Sequence, residues 1–170
     1  MLAELIDVYP TMVDLMGLPK PGPAGGPLDG VSLAPVLRAP GDAAVAAATK
    51  VRALSQYMRC PKDASDPTTW WKDNACLMTD RLQFAFMGLS MRTAVWRYTE
   101  WYRWNATTLA PQWDIDGGMV GRELYSHAGD VYPYDFDMFE NANEADGKPA
   151  VVATLSAELR AAFKEQQQSW

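Results

Sequence analysis

Histidine is almost missing from this chain: its 170 residues contain one, His127. A site built from several imidazoles is therefore excluded, and a lone His is far more often hydrogen-bonded and structural than catalytic. Cysteine is scarce as well, at two residues, which rules out a disulfide-dense scaffold. Basic residues are outnumbered, 15 against 21 acidic, for a formal charge of −6 and a pI near 4.7. Nucleic acid demands clustered Lys and Arg against its phosphates, so no nucleic-acid partner is expected. No apolar run approaches the ~18 residues of a membrane span, so no membrane partner is expected either. Met1-Leu2-Ala3-Glu4 lacks the basic start and apolar core of a signal peptide, and the chain as given is read as carrying no address.

What the sequence does have is aromatic mass in one place. Phe84 to Trp104, FAFMGLSMRTAVWRYTEWYRW, holds three of the seven tryptophans and two of the seven tyrosines. Aromatic and β-branched residues suit a pleated, half-buried surface. The stretch reads as two antiparallel strands, Phe84–Arg92 and Val95–Trp104, joined by a short turn. Alternation puts Trp96, Tyr98, Glu100, Tyr102 and Trp104 on one face and Arg97, Thr99, Trp101 and Arg103 on the other. Both faces are bulky, so both are expected to be covered.

Around that hairpin the punctuation is clear. Asp7 is placed to cap a helix running to Met16, stopped by Gly17. PKPGPAGGP, residues 19–27, reads as a connector. Ser32–Leu37 reads as a short helix capped by Ser32, and Ala43–Thr49 as another capped by Asp42. Lys50–Met58 reads as a strand, Thr107–Gly121 as a loop ordered by Trp113, and Glu123–Ser126 as a strand. Pro149 opens a last helix with Val152, Leu155, Leu159, Ala162 and Phe163 inward and Glu158, Arg160 and Lys164 outward. The fold class expected is α+β: a small antiparallel sheet of about four strands with a packed C-terminal helix.

Several of these segments carry a resemblance. Met91-Arg92-Thr93 followed by Arg97-Tyr98-Thr99 resembles the "RT…RY" strand pair near the C-terminus of type I sulfatases. Gly121-Arg122-Glu123-Leu124-Tyr125 is similar to the family's "ELYD" strand, with Ser126 where Asp is usual. Asp7-Val8-Tyr9-Pro10-Thr11 with Asp14-Leu15-Met16-Gly17-Leu18 resembles "DLxPTxxDLxGL", Asp29-Gly30-Val31-Ser32-Leu33 resembles "DGxSL", and Glu140-Asn141-Ala142-Asn143 resembles the tail "ExxN". Ser55-Gln56-Tyr57, in order and spacing with the hairpin, looks most like the iduronate-2-sulfatase branch. The resemblance covers nearly the whole chain, in family order.

It implies the C-terminal subdomain of an alkaline-phosphatase-like sulfatase fold. Residues 1–49 would be helices and a connector joining a missing N-terminal catalytic domain, and 50–170 the C-terminal subdomain proper. The family's nucleophile is a formylglycine made from a "(C/S)xPxR" motif beside a calcium ion. Neither Cys60 (CPKDA) nor Cys76 (CLMTD) fits that motif, no serine does, and the opening aspartates are lacking. Calcium and formylglycine are thus expected in the missing domain, and no catalytic or metal residue is assigned here. Gln56, Tyr57 and Arg59 are the candidates for the rim of a pocket for a sulfated sugar, where Arg pairs with sulfate or carboxylate and Tyr stacks on a ring. The alternative is that Tyr57 is core and Arg59 a solvated loop residue.

The family's secretory habit implies a lysosomal or extracellular setting. It also raises a Cys60–Cys76 bridge, worth about 3 kcal/mol, beside the alternative of two free thiols. Asn105-Ala106-Thr107 is a candidate glycosylation triplet. Two further readings stand beside the sulfatase one. One is a non-catalytic carbohydrate-binding module stacking sugars on Trp70-Trp71 or on Trp96, Tyr102 and Trp104. The other is a structural fragment with an uncovered interaction face.

Overall fold

The computed structural model describes residues 1–20, 28–61, 76–130 and 136–168. These divide into two compact units: Met1–Leu54 with Arg92–Ala94, and Ser55–Met91 with Val95–Trp170. The division falls inside a strand, five residues beyond the boundary at 49/50 that the sequence suggests.

The first unit is helical. α1 spans Val8–Met16 and stops where Gly17 takes the left-handed conformation, φ 64°, that a residue with a Cβ resists. α2, Ala34–Arg38, and α3, Ala43–Thr49, follow. Asp42 caps α3 as expected, its carboxylate accepting from the amides of Ala44 and Val45 at 2.9 and 3.1 Å. Two other expected caps are corrected. Asp7 stands at the cap position of α1 but its side chain makes no capping bond there, because Lys50, the Glu4 amide one turn before it and the distant Val31 amide claim it. Ser32 does not cap a helix from 32: α2 begins at Ala34, with Leu33 at the cap position.

The second unit is the antiparallel sheet with its closing helix, so the chain is α+β. Its strands are β1 (Ala53–Arg59), β2 (Phe86–Arg92), β3 (Trp96–Asn105), β4 (Ala110–Pro111) and β5 (Met119–Ser126). The pairing order is β1-β2-β3-β4, and β5 also pairs with β3, Trp96 opposite Ser126 through Tyr102 opposite Met119, with an irregularity at Trp101/Tyr102. The expected loop over Thr107–Gly121 is therefore corrected, since β4 lies within it and β5 begins at Met119. Its glycines read as loop punctuation, but Gly121 lies in β5 beside the Trp101 indole, which a Cβ would meet at an ordinary contact distance of 3.7 Å. Gly88 does the same on β2 far more tightly, for a Cβ would stand 2.7 Å from the Trp101 ring. The Trp101 indole thus lies over Gly88 because that position is bare of a side chain.

α4 runs Pro149–Gln168. All five residues of its expected apolar stripe are buried: Val152, Leu155, Leu159, Ala162 and Phe163. They share a core with Met87, Leu89, Met91, Tyr98, Tyr102 and Leu124, the alternate residues that β2, β3 and β5 turn to one side. Arg160 is the correction on α4. It does not face outward but bends to a carboxylate inside the sheet.

Candidate functional site

Each unit is organised around one buried carboxylate. In the first unit Asp7 is fully buried. Its carboxylate accepts from the amides of Glu4 and Val31 at 2.8 and 2.9 Å and from the Lys50 ammonium at 2.7 Å, which also reaches Glu4 at 2.5 Å. Burial raises the Asp7 pKa, but the bonds from Lys50, Val31 and Glu4 outweigh that and leave it lowered. One helical turn on, the Thr11 hydroxyl donates to the Asp7 carbonyl at 2.6 Å and accepts from the Leu33 amide at 2.8 Å. Asp7 and Thr11 stand at i and i+4 and so share a helix face, while Val31 and Leu33 belong to the irregular segment that leads into α2. Gly30, next to Val31, must be bare, because a Cβ would overlap the Ile6 carbonyl.

In the second unit the carboxylate is Glu100, 1% exposed in mid-sheet. It accepts from Tyr98 Oη at 2.8 Å, Tyr102 Oη at 2.5 Å, Ser156 Oγ at 2.6 Å and Arg160 Nε at 3.1 Å. Burial pushes its pKa up, and the bonds from Ser156, the two tyrosines and Arg160 pull it lower still than an ordinary carboxylate. Burial and the same carboxylate drive both tyrosine pKa values far upward. Four donors on one buried acceptor make this a fastening between α4 and the sheet, with no free valence for a ligand. Alternation puts Glu100 on this face, and a charged residue between two tyrosines at i±2 is the sequence sign of its role.

A third cluster sits at the end of β5. His127 Nδ1 meets Asp130 at 2.9 Å and Nε2 meets Glu140 at 3.0 Å, with Arg97 paired to the same Glu140 carboxylate. His127 stacks on Phe139 at 5.9 Å. Beside it the Asn143 side chain imitates a strand: its Oδ1 accepts from the Leu124 amide and its Nδ2 donates to the Arg122 carbonyl, both at 3.0 Å.

The rim candidates come apart. On β1 alternation sends Tyr57 and Arg59 to one face and Gln56 to the other, so the three do not converge. Tyr57 is 45% exposed, not core. Arg59 is half-buried, not solvated: its guanidinium lies 5.9 Å from the Trp101 ring centroid, and its Nε is buried with no hydrogen-bond partner among the described residues. Trp101 in turn donates its indole N–H to Glu123 at 2.9 Å. Tyr57, Arg59 and Trp101 therefore form one exposed-to-half-buried strip on the face opposite α4.

The proposed stacking surface of Trp96, Tyr102 and Trp104 is corrected, because Tyr102 is fully buried beneath α4 with Trp113 edge-on at 4.7 Å. Trp70 and Trp71 lie outside the described residues. Cys60 and Cys76 form a disulfide, Cα–Cα 5.6 Å, so the free-thiol alternative falls. Among the described residues no three His, Cys, Asp or Glu side chains are grouped to hold a metal ion. The chain matches no protein-family model and no curated protein.

Proposed function

We propose that this chain is the C-terminal part of a sulfuric ester hydrolase of the type I sulfatase kind, closest to iduronate-2-sulfatase, acting on sulfated glycosaminoglycan or polysaccharide. In this reading it supplies part of the substrate rim, Tyr57 and Arg59, to a catalytic domain carrying the formylglycine and calcium. Formylglycine needs a free cysteine or serine in its motif, and Cys60 and Cys76 are joined to each other.

One observation carries the reading: the segments that resemble the family interlock in pairs. The Asp-x-x-x-Thr motif, Asp7 and Thr11, bonds the "DGxSL" motif at Val31 and Leu33. The "RY" arginine, Arg97, pairs with Glu140 of "ExxN", and Asn143 of the same motif bonds the "GRELY" strand at Arg122 and Leu124. Motifs far apart in sequence that meet through specific hydrogen bonds are mutually consistent, and that consistency supports the reading. The uncovered apolar side of α1 fits a partner domain: Val8, Tyr9, Met12, Leu15 and Met16 are each 44–57% exposed.

The test is reconstitution. Co-expressed with the catalytic portion of an iduronate-2-sulfatase-like enzyme that lacks its own C-terminal sheet, the chain should co-purify with it and restore turnover of a sulfated iduronate disaccharide. Absence of a complex, or sulfate release by the chain alone, would overturn the proposal.

A further inference from the structure

We infer that Asn105 is an N-glycosylation site, occupied when the chain passes through a secretory compartment. Asn105-Ala106-Thr107 is the chain's one Asn-X-Ser/Thr triplet, and neither Ala106 nor Thr108 is proline. The structure puts it where a large polar attachment is tolerated. Asn105 is the last residue of β3, and Asn105, Thr107, Thr108 and Leu109 are all exposed along the turn into β4. Its Oδ1 accepts from the amides of Thr107 and Thr108 at 3.0 and 3.1 Å. N-linkage consumes Nδ2 and leaves Oδ1 intact, so both turn bonds survive the modification, as does the backbone pairing of Asn105 with Ala110. A second observation points to the same compartment. Both of the chain's cysteines are joined in the Cys60–Cys76 disulfide, a bond that forms and persists in the oxidising setting where this glycosylation occurs.

The donor is a lipid-pyrophosphate-linked oligosaccharide, and the catalyst is an oligosaccharyltransferase. Asn105 Nδ2 forms a bond to the anomeric carbon of the donor as the C–O bond to pyrophosphate breaks. The lipid pyrophosphate leaves with that electron pair, and the amide proton passes to a base of the transferase. The redox state of every group is unchanged. This inference rests on the triplet, its exposure and the disulfide, and stands or falls separately from the sulfatase reading.

The experiment is translation of the full chain, behind a cleavable leader, in the presence of endoplasmic-reticulum microsomes, read by gel shift before and after peptide:N-glycosidase treatment. The wild-type chain should shift up by one oligosaccharide and collapse after treatment. Thr107→Val removes the hydroxyl the transferase requires yet keeps the Thr107 amide bonded to Asn105, so loss of the shift in that variant cannot be put down to a broken turn. Thr107→Ser should restore the shift, and Asn105→Gln should abolish it. An unshifted wild-type chain that is processed and disulfide-bonded would overturn the inference, as would a shift that persists in Thr107→Val.

Discussion

Replacing Glu100 by glutamine tests whether the buried carboxylate fastens α4 to the sheet. The substitution keeps shape but removes the charge and turns one acceptor oxygen into a donor. Tyr98, Tyr102 and Ser156 can rotate their hydroxyls to accept, but Arg160 has no acceptor atom to offer. Removing one partner of a buried ion pair costs about 3–5 kcal/mol. Arg160 is itself 34% exposed and rehydrates in part, which lowers the expectation to about 2–3 kcal/mol. Urea unfolding monitored by tryptophan fluorescence should show that loss at neutral pH, with the denaturant slope unchanged. The pH dependence follows from the sign of the shift. Glu100 has a lowered pKa when folded, so its contribution is fully present above the ordinary Glu value of 4.5 and is lost as pH falls through the lowered folded value. The gap between wild type and Glu100→Gln should therefore be widest near neutrality and close in acid. A neutral-pH difference below about 0.5 kcal/mol, the range of ordinary surface substitutions, would refute the reasoning.

Thr11→Val leaves the buried-side Leu33 amide unpaired and should cost about 1–3 kcal/mol, with faster hydrogen exchange at Val31–Leu33 as the readout. Gly88→Ala drives a methyl into the Trp101 ring and should cost about 1–3 kcal/mol by thermal unfolding; an unchanged melting temperature would mean the indole moves aside freely. Reduction of Cys60–Cys76, 16 residues apart in sequence, should cost about 3 kcal/mol of stability, read as a lowered urea midpoint. Replacing Met12 and Leu15 together by serine should lower hydrophobic-dye fluorescence, because both stand about half exposed on α1.

Period and punctuation made the hairpin, α4 and the Gly17 stop legible, since each is a local rule acting on adjacent residues. The Val152–Phe163 stripe was readable for that reason: the spacing fixes the face, and an apolar face finds a core. The roles of Asp7, Lys50, Arg160 and Glu100 were not readable. Each would ordinarily be a cap or a solvated charge, and what redirects it is a partner 43 to 60 residues away. The start of β5 was hidden in the same way, because pairing with β3 overrides the weak strand preference of a glycine-bearing segment. On β1 the rim candidates Gln56 and Tyr57 are neighbours in sequence, whereas a strand separates neighbours onto opposite faces.

The central claim is that Tyr57 and Arg59 serve sulfated-sugar recognition while the chemistry lies in another domain. Titration of the isotope-labelled chain with a sulfated iduronate disaccharide, followed by amide and indole resonances, reads both halves at once. The account predicts saturable shifts at Tyr57, Arg59 and the Trp101 indole N–H, weakened by Arg59→Ala, with no sulfate released. Unmoved resonances along that strip, or free sulfate accumulating in the tube, would contradict it.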